Sequence, residues 1–140
     1  MAGITVSLNF EGYWREVYKE YVPAQSGIYC VYACTFNQTE KSVSIRKLIY
    51  IGESADVRHR LATHNKLDDW NRHLQRGETL CYSVATIPES NRVRVEAALI
   101  SKVTPPENSE YTGDYPYLRT TVHLTGQHAG LPESLSVGSL

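Results

Sequence analysis

The chain has 140 residues, with 41% hydrophobic and 21% charged side chains, an ordinary globular balance that predicts one domain with its own core and no need of metal or disulfide staples. Its formal net charge of -1 excludes a polybasic nucleic-acid binder and confines any polyanion site to a local patch. No apolar run approaches the length of a membrane span, and the N-terminal MAGITVSLNF lacks a basic n-region, so the reading is of a soluble, cytoplasmic protein with no membrane partner.

In chain order, ITVSLNF alternates as a short strand would, and EGYWREVYKEYVP reads as a short helix or turn leading to Pro23. GIYCVYACTF has the β-branched and aromatic content of a strand, NQTEKS is a polar turn, and VSIRKLIYIG returns as the second arm of a hairpin with a long or bulged connection. Ser54 suits an N-cap with Asp56 in the first turn, and Val57 and Leu61 mark an apolar stripe for a helix over about residues 55–65. Asp68 or Asp69 would cap a second helix, DWNRHLQR, stopped by Gly77. ETLCYSVATI reads as a third strand ending at Pro88. ESNRVRVEAALISKV then gives a helix with Val93, Ala97 and Ile100 on one face, ended by Pro105 and Pro106. The segment YLRTTVHLTGQHAG suits a further strand, and LPESLSVGSL reads as weakly ordered. The fold class is therefore α/β (α+β): a small mixed or antiparallel sheet flanked by helices in the order β-β-α-α-β-α. The core spans about residues 26–109, with additions at 1–25 and 110–140.

The three cysteines, Cys30, Cys34 and Cys81, form no CxxC pair and are odd in number, which suits reduced thiols in a cytoplasmic setting. Cys30 and Cys34 share one strand face and read as small buried hydrophobes.

Three features carry candidate chemistry. Arg60 and His64, four residues apart, share one helix face; an arginine fork suits a phosphate, and an imidazole can hold a proton near neutrality. A solvated helix face would look the same. Glu96 sits in the apolar run VRVEAALI, where a carboxylate is costly unless it is paired or binds a cation; Arg92 and Arg94 are the local partners. Asn108 follows a double proline, where it serves as a turn or cap residue or as a group that orients a site. Serine-hydrolase, P-loop and zinc-protease motifs are absent, and the spacing of His59, His64 and His73 does not put all three on one helix face.

Taken together, Gly27-Ile28-Tyr29 on one strand, Tyr50-Ile51-Gly52 on the next, Arg60 and His64 on the following helix, Glu96 on a later helix and Asn108 after it make the chain resemble the GIY-YIG nucleases over about residues 27–108. The resemblance implies hydrolysis of nucleic-acid phosphodiesters, most simply in double-stranded or branched DNA, with one Mg²⁺ or Mn²⁺ per site. Carried over by position, Glu96 would be the metal ligand, Tyr29 would activate or position the attacking water, and Arg60 would hold the scissile phosphate. Tyr50 would orient water or phosphate, His64 would assist Tyr29 by accepting its proton, and Asn108 would support the site. Gly27 and Gly52 would let the backbone pass where a side chain would obstruct substrate.

The segment between the two tripeptides exceeds a short turn, so residues 42–47 either extend the ladder or touch nucleic acid through Arg46 and Lys47. Arg58, with Lys41, Arg72, Arg76, Arg92 and Arg94, could add to a phosphate-contacting surface. No separate recognition domain is visible. The chain would act as a monomer or weak homodimer, with specificity supplied by a partner if not by the chain. The competing reading is a catalytically idle module of this fold that binds nucleic acid or protein.

Overall fold

A computed structural model describes residues 3–140. Six strands form one mixed sheet in the order β3-β2-β4-β1-β5-β6. They are β1 (Ile4–Arg15), β2 (Gly27–Asn37), β3 (Ser42–Ser54), β4 (Thr79–Thr86), β5 (Thr120–Gly126) and β6 (Ser134–Val137). The helices are α1 (Val57–Ala62), α2 (Leu67–Asn71) and α3 (Glu89–Val103), and a 3-10 segment, Glu16–Tyr21, joins β1 to β2. From β2 to α3 the order is β-β-α-α-β-α, as expected from the sequence.

β2 lies between β3 and β4 and is covered on both faces, so its apolar run is continuous rather than alternating. Ile28, Cys30, Tyr32 and Cys34 pack on one face with Val95, Ala98, Leu99 and Ile100 of α3. Tyr29, Val31 and Ala33 pack on the other with Val57 and Leu61 of α1 and Trp70 of α2. Helices on opposite faces of one strand pair thus bring side chains of α1 and α3 around the outer edge of β3.

Several local expectations change. The β2–β3 turn itself is shorter than the connection expected, because residues 42–47 extend the ladder, one of the two readings given for them: Thr35 pairs with Ser44, Phe36 with Val43 and Asn37 with Ser42. Asn37 Oδ1 accepts the Glu40 amide within the turn. EGYWR continues β1 instead of turning, since β1 pairs parallel with β5 through Phe10 and then shifts at Gly12 to pair antiparallel with β4. LPESLSVGSL is ordered by pairing, with residues 134–137 adding β6 antiparallel to β5. Ala97 and Ile100 are buried as expected, together with Val95, Ala98 and Leu99, but Val93 is exposed and lies off that stripe.

The helix caps differ as well. α1 is capped by Asp56, whose Oδ1 accepts the His59 amide, while Ser54 Oγ accepts the Asp56 amide. α2 begins after Lys66, so Asp68 and Asp69 occupy its first turn rather than its cap. The cysteines are not all thiols: Cys34 and Cys81 are joined as a disulfide between β2 and β4, leaving Cys30 buried and free. The register explains the pairing, because Cys81 faces Tyr32, which places it diagonally beside Cys34 two residues further along. Sequence spacing carried no sign of this, since the two lie 47 residues apart. Among the described residues, no helix is long and apolar enough to cross a membrane.

Candidate active site

The hairpin register sets the site. Tyr29 of β2 lies opposite Gly52 of β3. A Cβ on Gly52 would overlap Cζ and Oη of Tyr29, so the ring crosses β3 over the glycine. Only a residue without a side chain permits that approach. Gly27 answers a different crowding: its Cβ would lie 2.8 Å from the Ala85 carbonyl and 3.2 Å from Val57 Cγ2. Both glycines therefore serve packing around Tyr29 and at the β2–β4–α1 junction.

α1 ends at Ala62, so Arg60 and His64 do not share a helix face as their spacing suggested. The chain turns at Thr63 and carries His64 inward, leaving it 7% exposed. There its Nε2 lies 2.8 Å from the Tyr29 hydroxyl. Its ring stands edge-on to Tyr29 and Tyr50, with centroids 5.9 and 5.7 Å away, and lies 4.3 Å from that of Trp70. Tyr50 is held in turn by Trp70 at 5.4 Å.

The direction of the Tyr29–His64 bond follows from the other imidazole nitrogen. Nδ1 accepts the Lys66 amide at 3.1 Å. Burial, with the charges of Arg60 and Lys66 adding to it, lowers the His64 pKa to about 4, so the ring is neutral at neutral pH. A neutral ring whose Nδ1 accepts carries its proton on Nε2. His64 therefore donates to the Tyr29 oxygen, the reverse of the proton acceptance expected from the sequence. Burial, with Tyr50 next, pushes the Tyr29 phenol above its ordinary pKa, and the Arg60 guanidinium opposes the rise.

From the opposite side of the edge, α3 presents Glu96. Neither local arginine pairs with it. Arg92 Nε donates to Glu53 Oε1 at 2.6 Å and its Nη1 donates to Ser26 Oγ at 2.9 Å. Arg94 donates to Thr120 Oγ1 and to the carbonyls of Leu118 and Arg119. Burial, then the carboxylates of Glu53 and Glu110, push Glu96 up to about 8, with Arg92 opposing.

Tyr29, Tyr50, Arg60, Glu96 and Asn108 line one cleft of about 300 Å³, together with Glu53, Lys66, Glu107, Glu110 and Tyr111 among others. Asn108 has a defined structural task there. Its Oδ1 accepts the Ile51 amide at 3.0 Å and its Nδ2 donates to the Ile51 carbonyl at 2.8 Å, as a neighbouring strand would. With the Glu107 amide on the Ile49 carbonyl, it closes the free edge of β3 beside Tyr50 and Gly52. Arg60 is steadied by Asn65, whose Oδ1 accepts from Nη2 at 3.1 Å.

The expected substrate-contacting cations do not line the cleft. Arg46 is exposed on β3, Lys47 meets His73 Nδ1 at 2.9 Å, and Arg58 Nε donates to the Val22 carbonyl at 2.8 Å. Lys66, Glu53, Glu110, Tyr111 and Trp70 were missed by sequence reasoning. Only Glu53 carried a signal, by following Gly52 directly; the others come from loops or a short helix whose path no periodicity reveals.

A family model, GIY-YIG catalytic domain, matches residues 28–111. The chain belongs to the GIY-YIG family. No curated protein and no solved structure gives a significant match. GIY-YIG is a nuclease-type family, so its members' chemistry is phosphodiester cleavage in nucleic acid, generally with a divalent metal. Among the described residues of this GIY-YIG chain, no group of three or more His, Cys, Asp and Glu side chains is placed to hold a metal alone. The donor set nonetheless fits a magnesium-like ion, which keeps waters and takes substrate oxygens alongside one carboxylate. Glu96 is largely withdrawn from water, makes no hydrogen bond or ion pair among the described residues and is crowded by other acids, an arrangement that a cation would relieve.

Proposed function

We propose that the protein is a divalent-metal-dependent endonuclease that hydrolyses phosphodiesters in DNA at the cleft between α1 and α3. One observation carries the reading. A phenol backed by a buried neutral imidazole, an arginine fork and an unpaired carboxylate come from three separate elements, β2, α1 and α3, to one cleft. A fold kept only for binding has no need of that convergence.

An ion held by Glu96 would supply Lewis-acid polarisation of the phosphate and charge neutralisation. The chain's own groups do the remaining work. Arg60 faces the scissile phosphate as charge builds on it, and its planar donors suit phosphate oxygens. Because His64 donates to Tyr29, the phenol's own proton is free to point into the cleft, where the hydroxyl holds the attacking water. The phenol stays protonated and orients the water, and the proton the water releases on attack passes to a non-bridging oxygen of the phosphate, since His64 already carries its proton on Nε2. The His64 donor is fixed in advance, since its Nδ1 is already engaged by Lys66. Tyr50, packed against Trp70 and His64, fixes the wall that faces the water and phosphate, and Asn108 holds the strand that carries Tyr50.

The experiment is cleavage beside binding. Supercoiled plasmid is incubated with wild type and with Tyr29→Phe in Mg²⁺ or Mn²⁺, and binding to the same DNA is measured by gel shift. Wild type nicks the plasmid, whereas the variant binds it equally and loses about 10²-fold or more in rate. A variant that cuts at the wild-type rate would remove Tyr29 from the mechanism. Wild-type binding without nicking across varied substrates would favour the idle binding module.

A further inference from the structure

α3 carries Arg92 four residues before Glu96, so the two side chains project from one helix face, one turn apart. Left to themselves they form the ordinary intrahelical ion pair. They do not do so here. Arg92 is turned to Glu53, the residue after Gly52, and to Ser26, the residue before Gly27. The Arg92–Glu53 pair is largely enclosed, with side chains 11% and 27% exposed, so it is a held contact and not a loose surface pair. Two other carboxylates at the rim differ in freedom. Glu107 is tied back by His73 at 2.6 Å, and His73 is in turn held by Lys47 at 2.9 Å. Glu110 is exposed to solvent.

We propose that Glu53 is a positioning residue that draws Arg92 away from Glu96 and so keeps the Glu96 carboxylate free for a divalent cation. The inference rests on the reading of Glu96 as the metal ligand and adds to it why the nearest cation leaves that ligand unpaired. Glu53 competes with Glu96 for one guanidinium and wins through geometry. Its position at the end of β3 lets Arg92 bridge Glu53 and Ser26 at once, tying α3 to the two strand ends that bear the tyrosines. Without Glu53, the guanidinium loses its carboxylate partner there and swings one helical turn onto Glu96. It then occupies the oxygens a cation would use.

The test is Mn²⁺ binding followed calorimetrically, with thermal melts of every variant as a fold control. Wild type binds Mn²⁺, and Glu96→Gln abolishes that binding. Glu53→Gln weakens it by roughly tenfold or more, the usual cost of losing a group that orients a metal ligand. The double variant Glu53→Gln with Arg92→Gln recovers most of the loss, because no guanidinium remains to block Glu96. Recovery separates this role from that of a second ligand or a merely structural residue, since either would leave the double variant as weak as Glu53→Gln or weaker. Unchanged affinity in Glu53→Gln, or no recovery in the double variant of intact fold, overturns the inference while leaving Glu96 as ligand. Binding in wild type that Glu96→Gln does not disturb, or no binding at all, removes the metal-ligand reading and this inference with it.

Discussion

Glu96→Gln replaces a crowded carboxylate with a neutral amide of the same shape, and its effect on stability is worked most simply in the protein stripped of divalent ions. Burial and the Glu53 and Glu110 carboxylates raise the Glu96 pKa from 4.5 to about 8. Between those values the native state keeps a proton that the unfolded chain has released, so stability falls as pH rises through the window. His64 runs the other way. Its pKa is lowered from 6.5 to about 4, so between these values the unfolded chain holds the extra proton and stability rises with pH. The two slopes oppose each other below about pH 6.5, and only that of Glu96 remains above it. At about 1.4 kcal/mol per pH unit, the wild type loses roughly 2 kcal/mol from about pH 6.5 to about pH 8 that the glutamine variant does not lose. The assay is urea unfolding in EDTA at several pH values, comparing the two proteins. The variant gains on wild type by about 2 kcal/mol across that range, with most of the gain above neutrality. A stability difference that stays constant with pH would refute the argument, because it would mean Glu96 ionises as an ordinary exposed carboxylate.

Three further outcomes follow from the site and its support. Gly52→Ala forces a methyl into the Tyr29 ring; it costs about 1–3 kcal/mol in urea unfolding and lowers nicking with the displaced phenol, whereas a neutral effect would deny the close approach. Asn108→Ala leaves the Ile51 amide and carbonyl unpaired at the β3 edge and costs about 1–3 kcal/mol in urea unfolding, as does Tyr29→Phe, which leaves the buried His64 Nε2–H without its acceptor; no loss in either variant would deny the bond it removes. Thiol titration of the denatured, unreduced protein finds one reactive cysteine, Cys30, and three after reduction. Reduction lowers stability by about 4 kcal/mol for a loop of this span, and three thiols before reduction would contradict the Cys34–Cys81 link.

Much of this arrangement was legible in the sequence, for reasons that differ by element. α3 was readable to its ends because a 15-residue periodic run bounded by prolines leaves little choice. β2 and β3 were readable because β-branched and aromatic runs flank a polar turn. What the sequence could not carry was pairing and path. β6 forms only because β5 offers it an edge, and Cys34 meets Cys81 only through the β2–β4 register. At the site, spacing suggested a helix face for Arg60 and His64, but a six-residue helix ends before His64, and the turn that follows buries it. Whether Glu96 pairs with a local arginine stayed open in the sequence, because the competing carboxylate, Glu53, lies on another element 43 positions earlier. The direction of the His64–Tyr29 bond depends on the Lys66 amide, a backbone group that no side-chain motif can encode.

Hydrolysis of nucleic-acid phosphodiesters at a cleft organised around Glu96 is tested most directly by plasmid nicking as a function of divalent-ion concentration for wild type and Glu96→Ala. Nicking by wild type rises with Mg²⁺ or Mn²⁺ to saturation and disappears on chelation, and Glu96→Ala does not nick at any concentration. Cleavage by wild type that persists in chelator, or equal cleavage by the two proteins, would contradict hydrolysis at that cleft.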